Sequence, residues 1–226
     1  MPGYVTHLAL SKKYLDARNI SDEEYISRFI IGSIVADVAR PPRKKETHFW
    51  TDDNYLMFVR KPCLDSFLNK YGSRLQEPFV KGYYSHLLLD KIFIEKYWGK
   101  HFCFFDAKGN EAFLYDEVAM VEILDDNSRY SREEFFSSDL YYGDYDRMNP
   151  YLINKYLLQL PEIDGVQNIL GEGVIEEICT KDSAALIQML SNINRVDKEN
   201  CDCDGIRVFN MKEYEKLLDI AMDVLI

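Results

Sequence analysis

Residues 82–98 read GYYSHLLLDKIFIEKYW, an apolar and aromatic helix pattern with His86 and Asp90 four residues apart in its middle. Positions i and i+4 share a helix face. The pair can therefore bind one metal ion together or hydrogen-bond each other. An ionised Asp90 on a core-facing helix needs a partner, because burying a lone charge is very costly, and a divalent cation provides one. Asp37, at the end of FIIGSIVAD, makes the same demand. His7 follows Thr6 at the start of another helix, and His48 lies in ETHFW ahead of two aromatics. Four separate segments thus each offer a nitrogen or oxygen ligand. The set His7, Asp37, His48, His86 and Asp90 suits zinc or a similar divalent ion, manganese included. Structural zinc usually draws on closely spaced Cys/His pairs, so a dispersed set with carboxylates predicts a catalytic site with open positions. The competing reading is a helical scaffold whose histidines are ordinary core residues.

The elements that must position these groups are mostly helices. SDEE predicts Ser21 as an N-cap with Glu24 as its capping-box partner, ahead of Ile26, Phe29, Ile30, Ile34 and Val35 at helical spacing. Pro41-Pro42 stops that run. KPCLDSFLNKYG is expected to begin with Pro62 in a first turn and end at Gly72. The His86/Asp90 helix repeats this punctuation with Pro78 and Gly99. SREE and NMKE predict caps at Ser131 and Asn210, the latter opening an amphipathic helix to Ile226. Aromatic runs around Lys108-Gly109-Asn110 predict one small β-hairpin near 102–115. The expectation is a single all-α domain over 1–226, with that hairpin as its only sheet.

At 226 residues and 47% hydrophobic content, the chain can bury one substantial core. Its net charge of −11 disfavours long nucleic acid and anionic lipid. A local basic loop, ARPPRKKE, nonetheless places Arg40, Arg43, Lys44 and Lys45 between two candidate ligands. No apolar run reaches membrane-spanning length, and MPGYVTHLALSKKY does not read as a secretory signal; cytoplasmic residence is expected. Five scattered cysteines predict no disulfide framework. NCDCDG starts like a calcium loop, but Met211 stands where a bidentate Glu is required, so a turn is expected.

THLAL, IGSIVADV, ETHFW and GYYSHLLLD, taken in order over residues 1–98, resemble the zinc-dependent phospholipase C and single-strand nuclease superfamily, its small bacterial hydrolases in particular. The resemblance implies a multi-helix phospholipase C/nuclease-type fold and a hydrolase of phosphate mono- or diesters. It implies two ions: one held by Asp37, His48, His86 and Asp90, the second by His7, with Asp90 bridging. Asp37 would also accept the proton of the attacking water, and Pro2, exposed by removal of Met1, would be a further ligand. The third site of full family members needs two more histidines. Only His101 follows Asp90, and it is expected at the surface or in the hairpin; Asp116 and Asp144 are the candidates for rebuilding that site. Arg40 and Arg43 are candidates for contacting a small phosphate-ester substrate. A non-catalytic module held together by its ions is the alternative. An HD-type phosphohydrolase is disfavoured, because no histidine is followed directly by Asp.

Overall fold

A computed structural model describes residues 2–158, 160, 165–196 and 205–226. Twelve α-helices appear among them: α1 (Tyr4–Ala17), α2 (Glu23–Val35), α3 (Lys44–Thr47), α4 (Asp52–Leu56), α5 (Leu64–Tyr71), α6 (Pro78–Phe93), α7 (Gly99–His101), α8 (Arg132–Phe135), α9 (Tyr141–Lys155), α10 (Val166–Gly171), α11 (Asp182–Asn194) and α12 (Met211–Leu225). Three strands, β1 (Phe102–Phe105), β2 (Met120–Ile123) and β3 (Ser128–Ser131), form an antiparallel sheet in the order β1-β2-β3. No described helix is long and apolar enough to cross a membrane.

The core is organised on the crossing of α2 and α6. A Cβ on Gly32 would lie 2.2 Å from the Phe79 carbonyl oxygen, and one on Gly82 would lie 2.1 Å from that of Phe29. Only glycine permits this backbone-to-backbone approach. It buries Phe29, Ile31, Ile34, Tyr83, Leu87 and Leu89 almost completely. α1 and α12 pack on the same core, joined by a buried hydrogen bond between Thr6 and Tyr214 (2.9 Å).

Several boundaries differ from the expected ones. Asp22, not Ser21, caps α2, because its carboxylate accepts the Tyr25 amide at 2.7 Å. Pro62 lies just outside α5, whose N-cap is Cys63. Pro78 does open α6, but Gly99 does not end the helical run: a π-turn over Ile94–Trp98 carries it into α7 and buries both Tyr97 and Trp98. The Ser131 capping box forms as expected, and Asn210 caps α12.

The turn at Lys108–Asn110 is present, with Gly109 at φ +86° and the Asp106 carboxylate accepting the amides of Lys108 and Asn110. Its second arm pairs with β1 only beside the turn, through an antiparallel Phe105–Glu111 bridge and the Ala112 amide donating to the Phe104 carbonyl at 2.9 Å. Along its full length β1 pairs with β2, with Phe102 opposite Ile123, and the intervening chain crosses to residues 57–58, where the Phe58 amide donates to the Phe113 carbonyl at 2.7 Å. The all-α expectation is thus corrected to a helical fold with a three-stranded sheet. Cys201 and Cys203, with all of the expected NCDCDG turn but Gly205, lie outside the described residues.

Candidate metal centre

Each candidate ligand is brought inward by a different device. α1 presents His7 from its first turn. A 3-10 turn over Ala36–Val38 tightens the end of α2 and turns Asp37 inward. α3 delivers His48, after which Phe49 takes φ +53°. That conformation is unfavourable for a bulky residue; the packing of its ring against Phe67, Tyr71 and Tyr83 holds it. α6 carries His86 and Asp90 on one face.

The five side chains converge. His7 Nε2 lies 3.5 Å from Asp90 Oδ1, while His48 Nε2 and His86 Nε2 lie 3.6 and 3.5 Å from Asp90 Oδ2. His48 Nε2 is 3.2 Å from Asp37 Oδ1, and the His7 and His86 rings stack at 4.0 Å. Among the described residues, side chains gather at metal-binding distances in two overlapping groups, His7/His86/Asp90 and Asp37/His48/His86. A single imidazole nitrogen serves one ion. The two oxygens of Asp90 face different histidines, so Asp90 is the group able to serve both.

Tautomers and charges match ligation. His86 Nδ1–H donates to the Ser33 carbonyl (2.9 Å) and His48 Nδ1–H to that of Lys44 (3.1 Å). Such backbone bonds fix the ring and leave Nε2 with its lone pair. The two bare Nε2 atoms stand only 3.4 Å apart. Burial and the neighbouring His7 push the His86 pKa down to about 3, so the ring is neutral at pH 7. Burial raises the Asp37 carboxyl, but Lys44 (3.0 Å away) and His48 outweigh it and hold the pKa well below the usual value. At Asp90, burial is likewise outweighed by His86 and His7, and the pKa is lowered. Both Asp90 oxygens and both His7 ring nitrogens are buried with no hydrogen-bond partner. The N–H groups of His48 and His86 are spent on backbone carbonyls, so their bare Nε2 atoms and the unpaired Asp90 oxygens are what a divalent cation would satisfy, and these residues fit one.

The other candidates are placed as follows. Pro2 is buried and lines a cavity of about 920 Å³ that Asp37 and Lys44 also line. Arg40 is exposed. Arg43 is engaged elsewhere, its guanidinium donating to both oxygens of Asp182 at 2.9 Å and to the Glu177 carbonyl. Lys45 pairs with Asp52. Lys44 is therefore the basic-loop residue that reaches the cluster. Asp116 is exposed and joins neither ligand group. Asp144 is buried, but it clamps the chain before α12 by accepting the amides of Arg207 (3.0 Å), Val208 (2.6 Å) and Phe209 (3.1 Å). Among the described residues, Asp144 likewise joins neither ligand group. His101 is buried rather than on the surface, stacked on Tyr97 and 3.0 Å from Asp125.

Sequence reasoning missed Arg60 and Arg132, which line the same cavity. No local pattern marks them; the pairing of 57–58 with 113–114 brings them in. No protein-family model, curated protein or solved structure matches this chain.

Proposed function

We propose that this protein is a metal-dependent hydrolase of phosphate esters, with a dinuclear site akin to that of the zinc-dependent phospholipase C and nuclease superfamily. The observation that carries the proposal is the buried convergence of three imidazoles and two carboxylates, with both Asp90 oxygens facing histidines and lacking a hydrogen-bond partner. His7 and Asp90 would hold one ion and Asp37, His48, His86 and Asp90 the other, zinc being the first choice. Divalent ions at such a site supply a nucleophile from water near neutral pH and offset charge on the transferred phosphoryl group.

The protein's own groups divide the remaining work. Of the five ligands, Asp37 is the one that lines the cavity, so it stands where the cluster meets the substrate. It accepts the proton of the attacking water. Lys44, pointing at Asp37 from the cavity wall, draws the anionic ester in. Ser33 and Lys44 carbonyls keep the imidazoles in their ligating tautomers.

Metal analysis of untagged protein purified without chelators, joined to hydrolysis of aryl phosphate mono- and diesters, tests this. About two ions per chain and a zinc- or manganese-dependent rate are expected. Two ions with persistent inactivity would leave the non-catalytic, metal-stabilised module. No bound metal would end both readings.

A further inference from the structure

Beyond Asp37 the cavity carries two arginines that the cluster does not use. Arg60 and Arg132 both lie over the Tyr115 ring, at 4.5 and 4.1 Å from its centroid. Arg60 also faces Trp50 at 5.5 Å, and Arg132 faces Phe58 at 5.1 Å. Trp50 in turn lies 5.2 Å from the His48 ring, so the contacts run unbroken from the ligand cluster to the arginine pair. One hydrogen bond anchors each guanidinium: Arg60 Nε donates to the Met57 carbonyl (3.1 Å) and Arg132 Nη1 to the Tyr115 carbonyl (2.7 Å).

Neither arginine forms an ion pair among the described residues. This holds although the chain has 38 acidic residues against 27 Lys and Arg, and although the exposed Glu133 and Asp146 line the same cavity. Two half-buried like charges sharing one ring repel each other until an anion joins them. Guanidinium groups stacked on aromatic rings still present N–H edges that suit phosphate.

We propose that Arg60 and Arg132 form a second anion subsite. The substrate class is then a small phosphate ester with a second phosphate group besides the one cleaved at the cluster, and with a flat or apolar portion lying against Trp50 and Phe58. This rests on reading the cluster as the hydrolytic centre, but it can be tested apart from hydrolysis. The chain has two tryptophans, and both Trp50 and Trp98 line the cavity, so intrinsic fluorescence reports its occupancy.

Adenosine 3′,5′-bisphosphate and adenosine 5′-monophosphate, titrated into chelator-treated protein and into zinc-loaded protein, are the probes. The bisphosphate is expected to bind roughly tenfold more tightly, as befits an added pair of charge-assisted hydrogen bonds. In the zinc-loaded protein, where the cluster itself holds the first phosphate, Arg60→Gln combined with Arg132→Gln is expected to erase that preference while leaving monophosphate affinity within about twofold, which also shows that the variant is folded. Arg60→Lys, which keeps the charge and loses the fork, is expected to retain part of it. Equal affinities for the two probes, or a preference that survives the double substitution, overturns the subsite. A preference abolished by substitution in a protein that hydrolyses no phosphate ester keeps the subsite and removes the hydrolase reading.

Discussion

Asp90 is the residue on which the two-ion reading turns. Its side chain is fully buried, and its oxygens divide between His7 on one side and His48 and His86 on the other. An amide keeps the shape but replaces one anionic oxygen with a donor pair that cannot ligate. Asp90→Asn is therefore expected to weaken both sites by at least about tenfold, even second-sphere changes at metal sites costing 10- to 100-fold. Equilibrium dialysis followed by metal analysis reads the result, and loss of one ion with the other intact counts against the bridge. The residues that converge were legible in the sequence for a simple reason. His7, His86 and Asp90 stand on apolar helices, and Asp37 just past the end of one, where polar groups need partners. The second-anion arginines were not, because Arg60 and Arg132 acquire their meaning from Tyr115, which reaches them only through a loop-to-loop pairing. Arg43 looked available in a basic run, yet a bidentate pair with Asp182 ties it to the start of α11.

At the scale of elements, the crossing of α2 and α6 sets the geometry of the cluster. Ser33, whose carbonyl orients His86, directly follows Gly32, and His86 lies about one turn beyond Gly82. A methyl group on Gly82 would meet backbone, which cannot rotate away, so the helices must separate. Gly82→Ala is expected to cost about 3 kcal/mol, the upper part of the range for overpacking, and to lower zinc affinity by moving His86 off the Ser33 carbonyl. Gly99→Ala is the control: a Cβ there meets nothing within 4 Å, and a helical alanine is expected to be neutral or slightly stabilising. Urea denaturation with zinc titration separates the two variants, and a Gly82→Ala protein with unchanged stability would refute the close crossing. Helix starts were readable from Pro78, Ser131 and Asn210, because caps are local chemistry. β2 and β3 were not, since four residues each of MVEI and SRYS carry too short an alternation to stand out. They become strands by pairing with one another and with β1.

For the molecule as a whole, the candidate ligands come from four segments between residues 7 and 90, and the same segments build the core. In the unfolded chain these groups are far apart, so ions held as proposed would bind the folded state almost exclusively and stabilise it by mass action. A site filled at about a thousandfold excess over its dissociation constant adds about 4 kcal/mol. In a chain of this size each kcal/mol moves the melting temperature by roughly 2–4 °C. Chelation is thus expected to lower the melting temperature by about 10 °C per ion removed, and readdition of zinc to restore it. Asp90→Asn should shrink the chelator response at both sites, because each tenfold loss of affinity removes about 1.4 kcal/mol of that stabilisation. Arg60→Gln should leave the chelator response intact, because that arginine contacts the aromatic wall and not the ligands. Scanning calorimetry with and without chelator distinguishes these cases. A wild-type melting temperature that does not respond to chelator would mean that the buried imidazoles and carboxylates satisfy one another without an ion, and the hydrolase proposal would fall with it.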